Sequence, residues 1–207
     1  MNISRVLVGV VAASLLLSGC AGEEPAEIAA PAPVVTPTPT PTPEPTKPAL
    51  DELVLTTEGL DYLVIGQPVP SINPGLAIAE WEADYCEPQP GAWRPTYPGT
   101  SDGEMFAVQT IGETQGGALS TIAVYRTGVM TAEGIHVGST GDEVLSAYSS
   151  FDYEEQLDVN LAQYGINGTA GRLLIAVEDD VVVAMVAEGK ELPIGGIYRT
   201  DAYHPCA

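Results

Sequence analysis

Apolar positions in this chain fall into one long run at the amino terminus, residues 6–17, and a series of short ones after residue 52. The short runs are four to nine residues long, bounded by glycine, proline and acidic residues, which is the spacing of strands rather than helices. Residues 53–56 and 60–65 predict two strands turning at Glu58-Gly59. Pro68, Pro70, Pro74 and Gly75 rule out a long helix before Leu76. Residues 76–85 predict a short helix with Leu76, Ala79, Ala83 and Trp81 inward, and 86–103 read as loop. Residues 104–111 and 118–126 predict a hairpin across a Gly-rich connection at 112–117. A turn and a short strand follow over 128–137, and 159–164 reads as a strand. The densest β-branched pair, 172–177 and 181–187, predicts a hairpin with Glu178-Asp179-Asp180 at its tip, and 194–198 adds a last edge.

The best helix signal is Thr140-Gly141-Asp142-Glu143 ahead of Val144, Leu145, Ala147 and Tyr148. Thr140 can cap the free amides and Glu143 can return the bond three positions on, while Asp142 and Glu143 suit the positive end of the helix. Strands outnumber helices, so the fold class is α+β: mainly antiparallel sheet with one or two short helices.

The amino-terminal run changes the setting. Arg5, the apolar stretch and then small residues follow the order of a signal peptide over 1–19. About twelve apolar residues are too few to cross a bilayer core, which needs roughly twenty. Leu17-Ser18-Gly19-Cys20 reads as a lipobox, with processing before Cys20 and diacylglyceryl and palmitoyl chains on it. Each buried methylene contributes about 0.8 kcal/mol, so two or more chains anchor stably. The expected address is the extracytoplasmic face of the cell membrane, with Cys20 as the lipid attachment. An ordinary signal with a chance cysteine is the plainer alternative.

Residues 20–50 form a linker of different composition. Thr36 to Thr46 reads as Thr-Pro four times and then Glu44-Pro45-Thr46. Proline removes donors and fixes φ near polyproline II, so neither helix nor sheet forms, and the reach at about 3.1 Å per residue is roughly 80 Å. The threonines could accept O-linked sugar, or the segment could be an unmodified disordered leash. The remaining residues, 51–207, are enough for one ordinary domain or two small ones packed together.

Charge narrows the partners. The chain carries 28 Asp and Glu against 7 Lys and Arg, a net charge of -21. Such a surface repels nucleic acid and anionic headgroups, leaving basic proteins, divalent cations or plain solubility as readings. With Cys20 lipidated, Cys86 and Cys206 remain in a compartment that permits disulfides. A bridge between them would close a long loop and contribute roughly 4 kcal/mol on the chain-entropy model. His136 and His204 lack the spaced company of a metal site, and no cofactor is implied.

Glu58-Gly59-Leu60 with Val64-Ile65-Gly66 is echoed by Glu133-Gly134-Ile135 with His136-Val137-Gly138. In each, a glycine turn leads into a short apolar strand and a second glycine opens the next element. The echo is compatible with two degenerate tandem repeats, 51–127 and 128–207, and with chance recurrence of Glu-Gly-apolar. Pro68 and Pro70 stand where the second copy has a clean helix start. The second copy, with Glu143-Val144, Ala147-Tyr148, the apolar hairpin and Cys206, resembles uncharacterised lipoproteins of high-GC Gram-positive bacteria. It also looks like the small α+β unit of β-lactamase inhibitor protein and of the outer-membrane assembly lipoprotein BamE. The resemblance spans residues 131–207 and is thin over 53–86. It implies a helix packed on antiparallel sheet used to bind proteins, and none of those families' functional residues can be matched to positions here.

No catalytic signature emerges. Gly138-Ser139-Thr140-Gly141 lacks the spacing of a nucleophile elbow and is explained by helix capping. His136 in an apolar run reads as a strand-surface or half-buried residue. Glu178-Asp179-Asp180 reads as a solvated turn in preference to a weak calcium site, and Asn167-Gly168-Thr169 as a turn rather than a glycosylation site. Trp81, Tyr85, Trp93 and Tyr97 cluster in sequence around Cys86. Exposed, they would make a platform for sugar rings or a partner chain; buried, they fill space over the sheet. The expectation is a non-enzymatic interaction module engaging an envelope protein or cell-wall component. The alternatives are a wall-directed hydrolase using paired carboxylates, and a small-solute-binding lipoprotein.

Overall fold

A computed structural model describes residues 45–84, 91–97, 106–111 and 114–192. The expected signal peptide at 1–19, Cys20, most of the expected linker at 20–50, Tyr85, Cys86, the expected strand at 194–198 and Cys206 lie outside the described residues.

The first small sheet contains β1 (Val54–Thr56), β2 (Gly59–Leu60), β3 (Leu63–Val64) and β8 (Met130–Thr131), in the order β3-β2-β1-β8. Its Glu58-Gly59 turn forms as expected, with Gly59 at φ 137°. A side chain there would press on the Leu63 carbonyl oxygen at 1.9 Å, so glycine is required. The β1–β8 pairing is parallel, joining Val54 to Met130 and Leu55 to Thr131.

The large sheet is antiparallel throughout. Its strands are β4 (Ala79–Glu82), β5 (Ala92–Pro95), β6 (Phe106–Thr110), β7 (Leu119–Val124), β9 (Tyr153–Asp158), β10 (Leu161–Asn167), β11 (Gly171–Glu178) and β12 (Val181–Gly189). The order is β4-β5-β6-β7-β12-β11-β10-β9. Two four-strand meanders are thus joined through their last strands, β7 and β12.

The helix α1 (Gly141–Ala147) forms where the capping signal places it. Thr140 Oγ1 accepts from the Glu143 amide at 3.2 Å, and a Glu143 carboxylate oxygen accepts from the Thr140 amide at 2.7 Å. The two strongest hairpins, β6–β7 and β11–β12, also form, and Asp179 and Asp180 turn the second with φ 50° and 66°. Positive φ at both central residues is the twist a tight hairpin needs, and aspartate tolerates it.

Three expectations are corrected. Residues 76–85 are not helical: after a turn at Asn73-Pro74-Gly75, the segment enters β4 and pairs Trp81 with Trp93. Alanine and glutamate favour helix locally, but pairing with a neighbouring strand outweighs that preference. That neighbour, β5, lies inside the stretch read as loop; Pro95 occupies its last position, where a missing donor is tolerated. The strand expected at 159–164 starts at Leu161 and runs to Asn167, because Val159 and Asn160 form the turn from β9. Strand β9 was not foreseen. Four of its six residues are polar or charged and five of the six, Leu157 among them, are exposed, so it carries no periodic burial signal.

One face of the large sheet packs on the small sheet and α1 through Leu55, Leu60, Leu63, Ile122, Ile175 and Val144. The other face carries a second buried cluster drawn from the sheet and the residue after β7, including Ala107, Ala123, Leu174, Ala184 and Val186. Arg172 and Glu188 form a buried ion pair at its end, Nε to Oε1 at 2.6 Å. Burial pushes the Glu188 carboxyl up, and the bonds from Arg172 oppose that shift.

Candidate functional site

The segment between Gly66 and β4 decides the shape of the first half. It follows Gly66 as α1 follows Gly138, but Pro68, Pro70 and Pro74 keep it from coiling over the sheet. A groove of about 630 Å³ is left between this segment and strands β4 and β5. Trp93 and Ala79 come from the strands, Pro70 and Ile72 from the proline-rich segment, and Gln115 from the β6–β7 connection.

Trp81 and Trp93 face each other across the β4–β5 ladder, edge to face, with ring centroids 5.8 Å apart. Trp93 is buried, and its indole Nε1 has no hydrogen-bond partner among the described residues. Trp81 is half-buried and exposes part of its ring to the groove. Gly91, at φ 96°, makes room for it: a β-carbon there would lie 2.9 Å from Trp81 Cζ2 and 2.6 Å from the Glu82 carbonyl oxygen. The exposed Glu80 supplies a carboxylate on the groove.

Tyr97, the third of the four aromatics grouped around Cys86 in sequence to fall within the described residues, is spent on packing. Its ring meets Phe106 edge-on at 6.4 Å, its hydroxyl donates to the Pro48 carbonyl at 2.9 Å, and Lys47 Nζ sits 4.0 Å from its centroid. Burial raises its hydroxyl pKa to about 12. Lys47 also donates to the Thr96 carbonyl at 2.8 Å, so the chain ahead of β1 is fastened beside the strand that carries Trp93. The sequence thus pointed to Trp81 and Trp93, which share the groove, while Tyr97 stands apart from it. It missed Pro70, Ile72 and Gln115. Their only signal was the run of prolines that forbids a helix.

A second hollow, about 460 Å³, lies beside α1 and is lined by Glu133, His136, Ser139, Asp142, Glu143 and Ser146. Its polar groups are largely committed. Glu143 is held below the usual carboxylate range, first by the Thr140 amide and then by its hydroxyl. The Tyr148 hydroxyl lies 2.8 Å from a Glu133 carboxylate oxygen and 2.9 Å from Thr131 Oγ1, and burial raises its pKa. Ser139 Oγ accepts from the His136 amide at 3.2 Å, which makes the hydroxyl part of a turn. Half-buried His136 has Nδ1 3.0 Å from the Val137 carbonyl oxygen. Among the described residues no group of three or more His, Cys, Asp or Glu is placed to hold a metal ion. No helix among them is long and apolar enough to cross a membrane.

No protein-family model, curated protein or solved structure matches this chain.

Proposed function

We infer that this chain is a lipid-anchored extracytoplasmic protein whose acidic head is a non-enzymatic interaction module. The observation that carries the binding reading is the groove floored by Trp81 and Trp93. It combines a partly exposed indole, proline and isoleucine walls, and carboxylate and amide groups in Glu80 and Gln115. Aromatic surface with a few polar groups suits a partner chain or a sugar ring, so the fitting occupant is an envelope protein or a cell-wall component. The lipobox ending at Cys20 supports the address, and the Thr-Pro linker supports a head held away from the bilayer.

Two tandem units, 51–127 and 128–207, are part of this reading. The meanders β4–β7 and β9–β12 support it, as do positive φ values at both Gly59 and Gly134 and at both Gly66 and Gly138. A helix or its degenerate counterpart on each antiparallel meander is also what the likeness to the inhibitor and assembly-lipoprotein unit would require. The first unit has then exchanged its helix for the proline-rich groove wall.

The test is photo-crosslinking on intact cells from a reactive group at Ser71 on the groove rim. Capture of one defined envelope protein or wall fragment is expected, reduced at least tenfold by Trp81→Ala. Capture unchanged by that substitution, or no capture at native expression, would overturn the groove as the docking site.

A further inference from the structure

The groove beside Trp81 opens onto an unfinished sheet edge. Strand β4 pairs with β5 and with no other strand among the described residues. The Thr96 amide donates to the Ile78 carbonyl at 3.0 Å, which sets the phase of the ladder. Hydrogen-bonded and non-hydrogen-bonded pairs alternate along antiparallel strands. Glu80 and Glu82 therefore turn their backbone groups towards β5, while Ala79 and Trp81 turn theirs away. Pro95 agrees with this phase, since it stands opposite Ala79, where the ladder needs no donor. Tyr62 closes the start of the edge, its hydroxyl accepting from the Ile78 amide at 2.8 Å and from the Ala79 backbone. The amide and carbonyl of Trp81 are the pair left open.

The groove meets β4 along this edge. Ala79, Glu80 and Trp81 all line it although consecutive side chains of a strand point to opposite faces. A sugar ring stacked on the indole would leave the backbone pair of Trp81 unmatched, whereas an extended peptide satisfies both. Charge narrows the peptide further. Glu80 and Glu82 are exposed on the face opposite Trp81, and one guanidinium, Arg94, stands with them, 3.3 Å from Glu82. We propose that the groove takes an extended peptide segment of a partner protein, which adds a strand to β4 by pairing its backbone with Trp81 and sets a lysine or arginine beside Glu80. Strand addition here rests on the groove being the docking site and names what fills it.

In an antiparallel addition, the arrangement throughout this sheet, the residue opposite Trp81 exchanges both backbone bonds with it. Its side chain enters the groove between the indole and the walls at Pro70 and Ile72. Its two neighbours face the other way, towards Glu80 and Glu82. The fitting sequence is thus basic, apolar, basic. A second copy of β4 paired about Trp81 would set Glu80 against Glu82, and like charges directly opposite are unfavourable, so the edge selects a foreign strand over its own.

The test is a nuclear magnetic resonance titration of the isotope-labelled full chain. The probes are blocked peptides Thr-Lys-X-Lys-Thr, with Val, Leu, Phe or Tyr at X, and the trimer of N-acetylglucosamine. The best peptide is expected to move the Trp81 backbone amide downfield and slow its exchange with solvent. Methylating the backbone nitrogen of X should weaken binding about tenfold, the loss of one hydrogen bond. Glu80→Lys, at an exposed position, should weaken it about tenfold as well. Peptide binding indifferent to both changes, or a sugar that moves the Trp81 indole signal while no peptide does, would overturn strand addition and leave the groove a docking site. Indole signals of Trp81 and Trp93 unmoved by every probe would overturn both.

Discussion

The carboxylate of Glu58 accepts a hydrogen bond from the Ala170 amide across 112 positions of sequence, at 3.1 Å from Oε2. It also accepts from the Thr169 amide, and the turn at Gly168 leaves room for it: a β-carbon there would fall 2.2 Å from Glu58 Oε1. The first Glu-Gly turn thereby fastens the connection between β10 and β11.

Those two amides, Ala170 first and then Thr169, hold Glu58 below the ordinary carboxylate range. A depressed folded-state pKa gives stability that is complete above the unfolded value of about 4.3 and is lost as pH falls through the folded value. Glu58→Gln should cost about 1 kcal/mol near pH 7, a charged bond discounted for solvent screening. The cost should shrink as pH drops below 4, and urea midpoints of both proteins between pH 7 and 3 measure it.

Arg172 and Glu188 set up a second test. Arg172→Met leaves a buried carboxylate without its partner and should cost about 3–5 kcal/mol at neutral pH. Burial alone then raises the Glu188 pKa further, so the penalty should fall as the solution is acidified into the range where Glu188 is protonated. The double variant Arg172→Met/Glu188→Leu should recover most of the loss. Thermal melts of the three proteins at pH 5 and pH 8 check both statements.

At Gly91 the positive φ and the nearness of Trp81 act together. Gly91→Ala should cost about 1–3 kcal/mol and displace the Trp81 ring. Only two tryptophans exist in the chain and both line the groove, so near-UV circular dichroism reports the displacement directly. A spectrum identical to the parent would contradict the packing described here.

The turn between β11 and β12 can be improved. Asp179→Asn with Asp180→Gly places the residues most tolerant of positive φ at both central positions and removes two adjacent like charges. Stability should rise by about 1 kcal/mol, read as a higher urea midpoint at unchanged slope.

For the amino-terminal reading, Cys20→Ala should move the protein from the membrane fraction to the soluble fraction, and intact mass should show a diacylglyceryl adduct on the parent alone. Peptide mapping without reductant should recover a fragment joining Cys86 to Cys206.

The sequence revealed the elements whose signals are local. Thr140 with Glu143 announced α1, and the apolar blocks around Asp179-Asp180 announced β11 and β12. The elements it concealed depend on partners distant along the chain. Ala79 to Glu82 has the composition of a helix and becomes a strand only because β5 lies beside it. Ala92 to Pro95 is short, contains proline and is flanked by glycine, so nothing local marks it. Strand β9 has no buried face to impose a period. The groove was half legible, since two tryptophans near each other in sequence suggested a cluster. Its outer wall required knowing that residues 68–74 fold back over the sheet.

The exposed outer strand Tyr153–Asp158 has a consequence for handling the protein. One of its edges pairs with β10 and the other pairs with no strand among the described residues, an edge that in a hydrophobic strand would recruit further copies. Glu154, Glu155 and Asp158 supply mutual repulsion in place of a physical shield. Colloidal behaviour should therefore depend on ionic strength, with edge-to-edge association setting in during high-salt storage, where that repulsion is screened.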